Sequence, residues 1–295
     1  MLLFRKLLML VACTRCRARQ DVMDATCAGG GDTNAAEWVS MLQRQAASSQ
    51  EKHLVHQVSA SVLDTTIAME RTVTCQCETS DPSWVRTSRT TPRCVFIDLG
   101  ANIGQTFDQF LNNSYVNIAD CPGGGSWYSI LVEANPVFDA PLQKLQQQYG
   151  KGQVSSLSST AGYSCDGATT FYLDVVTPAH NYWGSSMSSK AVDVRKSGGK
   201  KKVVVPTVNL NRLLFENTIP EDNVVVKMDI EGAEWDVVPC LAAAPSSRLV
   251  DALYVEMHDA KQGLIGTTPA GMEAAKQALQ HQGTWVPNYW TATSL

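Results

Sequence analysis

From Cys94 onward, short apolar runs alternate along the chain with stretches of helical texture. CVFIDLG leads into GQTFDQFL, and SILVEANP into PLQKLQQQYG. TFYLDVV and KKVVVPTVNL follow, then VVVKMDI ahead of EGAEWDVVPCL, and last LYVEMH. The runs are rich in Val, Ile and Leu and lack polar alternation, as strands buried on both faces do. Such strands separated by helices imply βαβ units. The fold class expected is therefore α/β, with a doubly wound, mainly parallel, Rossmann-like sheet. A helix should begin near Ile103 and another should cover residues 269–280. WVPNYW offers a last edge strand, where Pro287 is tolerable. The segment 154–165 stands where a third strand belongs, yet it has little apolar character.

Before Cys94 the texture differs. Residues 35–69 carry helix formers with a loose apolar period (Trp38, Met41, Leu42, Leu54, Val55, Val58, Val62), which predicts one or two helices. Thr79 to Pro92 is rich in Ser, Thr, Pro and Arg and reads as a linker. The organisation expected is a targeting-like segment over 1–20, a helical appendage and linker over 21–90, and one α/β domain over 91–295. The first of these contains no acid, carries Arg5, Lys6, Arg15, Arg17 and Arg19, and holds the apolar stretch LLMLVAC. That stretch is too short for a bilayer, which takes about 20 apolar residues. It fits a secretory signal, with an organelle transit peptide as the alternative. No other segment is a candidate membrane span.

Composition narrows the classes. Of 295 residues, 44% are hydrophobic and 18% charged, which places the chain among ordinary globular proteins. The net charge of -4 leaves no broad basic surface for a nucleic-acid partner, and Lys200-Lys201-Lys202 reads as a solvated loop. There are nine cysteines, with a CxxC at Cys13 and Cys16 and a CxC at Cys75 and Cys77. No second CxxC or paired histidines complete a zinc site. Scattered thiols, with a disulfide if the chain is secreted, are the better reading.

The candidate chemistry sits where apolar runs end. In VFIDLGANIGQTF a buried strand closes on Asp98, and a tight turn carries Gly100 and Gly104 around Asn102. Ligands of doubly wound sheets sit outside the carboxyl ends of the strands. The glycines would let backbone approach the ligand and let the helix start pack near the strand. Asp98 would repel a pyrophosphate but attract the cationic aminoacyl end of S-adenosyl-L-methionine. Glu133 closes the next run and could accept hydrogen bonds from both ribose hydroxyls. Its distance from Asp98 exceeds the usual gap of about 20 residues, and the inserted loop 113–127, with its CPGGG turn, accounts for the excess.

Two further clusters carry titratable groups. In VVVKMDIEGAEWDVV a buried strand delivers Asp229, and Glu231 and Glu234 follow at i, i+3 spacing on one helix face. Three carboxylates there could position a substrate hydroxyl, bind a divalent cation or take up a proton. Acids at a helix N-terminus also stabilise it through the dipole, a reading that suits Glu234. In LYVEMHD, Glu256 and His258 are two apart on a strand and so share a side. They fit a general-base pair and equally a histidine satisfied at the sheet edge.

Taken together, these segments resemble the FkbM family of methyltransferases. The resemblance rests on DLGANIGQT (98–106), VEANP (132–136), NYWGSSM (181–187), VPTVNLNRLL (205–214), KMDIEGAEWDVV (227–238) and VEMH (255–258). It implies a class I methyltransferase fold, S-adenosyl-L-methionine as cofactor, and methyl transfer to oxygen on a sugar or polyketide-like hydroxyl. By position, Asp98, Gly100, Asn102 and Gly104 would hold the methionine part and Glu133 the ribose, with Asn135 on the same cofactor side. Asp229, Glu231, Glu234, Glu256 and His258 would line the acceptor side, with Asp229 or His258 taking the proton. Leu210-Asn211 stands where the family usually has Leu-Asp. The function expected is an S-adenosylmethionine-dependent O-methyltransferase acting on a small-molecule or glycan acceptor. The alternative is a cofactor-binding module of the same fold without turnover. A nicotinamide dehydrogenase is disfavoured by DLGANIG in place of GxGxxG.

Overall fold

An apolar run with no polar alternation has to be covered on both sides, and β1 (Cys94–Leu99) is buried at every position. The computed structural model describes residues 75, 77, 79–107, 121, 127–176 and 182–287. All of them lie in the second of the two units into which the chain divides, Met69–Leu295. The targeting-like segment, the helices expected over 35–69 and the CxxC lie outside the described residues.

In chain order after β1 come β2 (Trp127–Val132), α1 (Asp139–Tyr149), β3 (Val154–Leu157), β4 (Ala161–Tyr163), β5 (Gly167–Tyr172) and α2 (Val192–Lys196). They are followed by β6 (Lys202–Asn209), α3 (Leu210–Asn217), β7 (Asn223–Met228), α4 (Glu234–Ala243), β8 (Ala252–Val255) and α5 (Pro269–His281). Five strands form one sheet in the order β3-β2-β1-β7-β8, every pair parallel. The doubly wound α/β expectation holds. The chain leaves β1 towards β2 on one side and returns as β7 on the other. The carboxyl ends of β1 and β7 therefore flank the point where the winding reverses, the place where such sheets bind ligands.

Successive side chains of β1 go to opposite faces. Val95, Ile97 and Leu99 pack with Val224, Val226, Met228 and Leu253 under Val238 and Leu241 of α4 and Met272 and Leu279 of α5. Phe96 joins Leu131 and Val225 on the other face, with Phe107 and with Leu142 and Leu145 of α1. The helix after β1 starts at Gln105, two residues later than its expected place near Ile103. Segment 154–165 supplies β3 as an edge strand, with only Val154 fully buried.

Two of the apolar runs depart from the pattern. TFYLDVV and KKVVVPTVNL do not extend the parallel sheet; β4, β6 and β5 form a second one, with β5 antiparallel to β6. The run VVVPTV is uniformly apolar to the eye, yet Val204 is 76% exposed between the partly buried Val203 and the buried Val205. It is a strand covered on one face. The expected edge strand at WVPNYW is reduced, among the described residues, to one parallel bridge between Trp285 and Ala252.

The stretch 79–93 has neither helix nor strand but is fastened to the domain. Disulfides join Cys75 to Cys240, Cys77 to Cys165 and Cys94 to Cys121. Arg89 makes a two-pronged pair with Asp222, one prong Nη1 to Oδ1 at 2.8 Å and the other Nη2 to Oδ2. Arg93 lies 3.7 Å from the ring centroid of Tyr128. No described helix is long and apolar enough to cross a membrane.

Candidate active site at the carboxyl ends of β1 and β7

The turn after β1 is held by backbone bonds to the next strand: the amides of Gly100 and Ala101 both donate to the carbonyl of Val132, at 3.0 and 3.1 Å. Gly100 has φ +83°, and a Cβ there would lie 1.8 Å from the Asp229 carbonyl oxygen. Gly104 has φ +86°, and its Cβ would lie 2.1 Å from Leu145 of α1. The atom that forbids a side chain at Gly100 is neighbouring backbone, so the glycine lets the β1 and β7 turns touch. Gly104 lets the turn pack closely against α1. Asn102 takes φ +52°, which its residue type tolerates, and its amide donates to Glu133 Oε2 at 2.8 Å.

Glu133 is spent largely inside the protein. Its other oxygen, Oε1, accepts the Asn135 amide at 2.7 Å. Burial pushes the carboxyl up to about 7, with the amides of Asn135 and Asn102 pulling the other way. The side chain thus ties the glycine turn to the end of β2, and each oxygen keeps one further acceptor position. Asn135 caps the short helical turn that follows, its Oδ1 accepting from Val137, while its Nδ2 reaches Ser185 Oγ at 3.2 Å.

Asp98 is fully buried. Its partner is the cross-strand residue Lys227, whose ammonium is 3.2 Å from Oδ1. Burial pushes Asp98 up to about 6 while Lys227 opposes the shift. The same ammonium donates to the Gly100 carbonyl at 3.0 Å and lies 3.4 Å from Asp229 Oδ2. Burial works against its charge, but the two carboxylates raise its pKa above the ordinary value.

β7 ends at Met228, so Asp229 stands just beyond the strand, its amide bonded to the Leu99 carbonyl at 3.0 Å. Glu231 is not on a helix face as the i, i+3 spacing suggested. It sits in the turn with φ +53°, and α4 begins only at Glu234. Glu234 does not line the acceptor side either. It is fully buried and accepts the amides of Ile230 and Gly232, at 2.6 and 2.8 Å, bracing the turn that displays Asp229 and Glu231.

Glu256 and His258 also differ from expectation, because β8 ends at Val255 and both follow it. Glu256 extends the sheet through its amide to the Met228 carbonyl, while His258 turns into the carboxylates. Its Nε2 is 3.5 Å from Glu231 Oε2 and 3.9 Å from Asp229 Oδ1, and its Nδ1 is 3.2 Å from Glu234 Oε1. Trp235 Nε1 donates to the His258 carbonyl at 2.8 Å and fixes that segment. Burial alone would lower the imidazole pKa, but the hydrogen bonds to Glu231 and Glu234 push it up to about 11. Glu231 is itself raised by burial, against its bond to His258. The segment 182–188 closes one side, with Ser186 Oγ donating to the Glu231 carbonyl at 2.6 Å.

One donor atom each from Asp229, Glu231 and His258 lies within 4.8 Å of the others, and Glu256 is not in that group. Two carboxylates and an imidazole could hold a divalent cation. They could equally orient a hydroxyl and move its proton. Lys227, Trp235 and the bracing role of Glu234 were missed in the sequence. A signal existed for Lys227 alone: a lysine inside an apolar run is rarely buried unless paired.

The family model for the methyltransferase FkbM domain matches residues 98–282. The chain belongs to the FkbM methyltransferase family. No curated protein and no solved structure matches it. As an FkbM methyltransferase, it carries the glycine turn, Glu133, Lys227, the acidic cluster and His258 all within the matched region. Asn211, where the family usually has an acid, is a buried amide that accepts from Ser246 Oγ at 2.7 Å.

Proposed function

We propose that this protein transfers a methyl group from S-adenosyl-L-methionine to a hydroxyl oxygen of a sugar or other small polar acceptor. The observation that carries this reading is the juxtaposition of two sites at the winding reversal. The glycine turn of β1 touches the β7 turn that displays Asp229 and Glu231 beside His258. A cationic donor suits the charges: Asp98 and Asp229 flank the single ammonium of Lys227, which leaves a net negative cleft. The donor supplies a methyl on a sulfonium leaving group. The acceptor oxygen forms the new bond to carbon, the carbon–sulfur bond breaks towards sulfur, and the hydroxyl proton has to leave.

Among the residues named for that proton, Asp229 suits the task better than His258. An imidazole with a pKa pushed up to about 11 already holds a proton at neutral pH and serves better to orient Glu231 and Asp229. Positioning of donor and acceptor at the carboxyl ends of the strands supplies much of the rate. A divalent cation at Asp229, Glu231 and His258 would serve the same hydroxyl once it had displaced the imidazole proton, since only a neutral imidazole ligates a metal. The three disulfides support the secretory reading of residues 1–20, since such bonds form in oxidising compartments.

Calorimetry with S-adenosylmethionine tests donor use, and release of S-adenosylhomocysteine over a panel of methyl glycosides, with and without EDTA, tests transfer. Donor binding with transfer to at least one glycoside is the expected result. Failure to bind the donor would remove the reading, and binding without transfer to any hydroxyl acceptor would leave a cofactor-binding module.

A further inference from the structure

Asp98 is the penultimate residue of β1, where the donor's cationic end was expected to meet it directly. The geometry gives this carboxylate another partner. Asp98 and Lys227 face each other across β1 and β7, both all but sealed from solvent, with 0% and 3% of their surface exposed. A carboxylate with no exposed surface cannot touch a ligand in the cleft unless the turn above it opens.

Lys227, in contrast, reaches the site through its own bonds. An ammonium has three N–H donors, and three acceptors surround this one: the Gly100 carbonyl at 3.0 Å, Asp98 Oδ1 at 3.2 Å and Asp229 Oδ2 at 3.4 Å. Gly100 is thereby gripped at both ends, its amide by the Val132 carbonyl of β2 and its carbonyl by Lys227 of β7. Among the described residues, Lys227 Nζ links the glycine turn, the buried carboxylate and the half-buried one through a single atom.

We propose that Lys227 is the positioning residue of the donor site, and that Asp98 acts on the donor through it, as its buried counter-ion, without touching the donor. The inference rests on the methyltransferase reading above. Its consequence is that the two residues form one unit. Once Lys227 is gone, the glycine turn is already released, and removing the Asp98 charge has nothing further to cost.

The test is a set of calorimetric titrations of S-adenosylmethionine into the full chain, Asp98→Asn, Lys227→Met, Lys227→Arg and the pair Asp98→Asn/Lys227→Met, with melting temperatures taken alongside. Lys227→Met should lose about tenfold or more in affinity, the scale of a lost charge-assisted hydrogen bond. Lys227→Arg should recover most of that loss. Adding Asp98→Asn to Lys227→Met should cost less than about threefold, because contacting residues are not additive. The pair should regain melting temperature by removing an unpaired buried carboxylate, yet not regain affinity.

Two results overturn the inference. One is losses that multiply, as a separate Asp98–donor contact requires. The other is recovery of affinity together with melting temperature, which would make Lys227 structural only. If Lys227→Met does not fold, Lys227→Gln serves as the background in the same cycle. Wild-type protein that binds no S-adenosylmethionine would sink the methyltransferase reading first, and this inference with it. Multiplying losses in a wild type that binds would sink this inference alone.

Discussion

At the scale of single residues, the site divides into groups that display chemistry and groups that hold them. Asp229 and Glu231 are displayed; Glu234, Trp235 and Lys227 hold. Asp229→Asn keeps shape and hydrogen-bonding reach but loses the charge. Donor affinity by calorimetry should barely change while turnover falls about 10²-fold or more, the range for losing general acid–base help. Turnover near wild type would end the catalytic role. His258 gives a pH signature. Its folded-state pKa of about 11 stands above the ordinary 6.5, so the folded chain keeps a proton that the unfolded chain releases. The stabilisation is complete below about 6.5 and is lost as pH rises through about 11. His258→Asn should therefore melt below wild type near pH 6, with the gap closing as pH climbs towards 11. A gap constant with pH would mean that the imidazole is not charged by its carboxylate neighbours.

At the scale of elements, strand identity was legible and strand ends were not. CVFIDLG and VVVKMDI read as doubly buried strands because an unbroken apolar run has few other places to go. VVVPTV misled because period-2 exposure leaves no trace when both faces carry valine. The acids past β7 and β8 were assigned to a helix and a strand, yet the chain turns through φ +53° at Glu231 before α4 begins. Spacing rules hold inside regular elements, and these residues lie between them. The glycine turn after β1 was legible from its glycines, but the backbone contact at Gly100 was not, since the atom it avoids belongs to a carbonyl more than a hundred residues away. That geometry sets an expectation. Gly100→Ala should lower the melting temperature as well as donor binding, because a residue at φ +83° with its Cβ 1.8 Å from backbone oxygen cannot stay in place. A destabilisation above about 1 kcal/mol in chemical unfolding is expected. Unchanged unfolding with lost binding would restore the simpler idea of a glycine kept bare for the ligand.

At the scale of the molecule, the open question is where the folded unit begins. Composition marked 79–92 as a linker because Ser, Thr, Pro and Arg make turns and carry little core. What composition does not show is a fastening by side chains distant in sequence. Cys75 and Cys77 reach Cys240 in α4 and Cys165 beside β5, and Arg89 pairs with Asp222. Two of these bonds therefore anchor the segment to both sheets' surroundings at once. Each closes a long loop, and a disulfide of that kind stabilises by about 2–4 kcal/mol. A chain beginning at Met69 keeps all three bonds, whereas one beginning at Ser88 loses two and leaves the buried Cys240 unpaired. The Met69 form should melt within a few degrees of the full chain and bind S-adenosylmethionine equally well. The Ser88 form should melt clearly lower, and dithiothreitol should bring the Met69 form down towards it. α4 follows directly on the turn that carries Asp229 and Glu231, so donor-site geometry should loosen with the Cys75–Cys240 bond. Equal melting of the two forms under oxidising conditions would show that the first anchored residue lies after Ser88, and that 79–87 is a linker in fact as well as in composition.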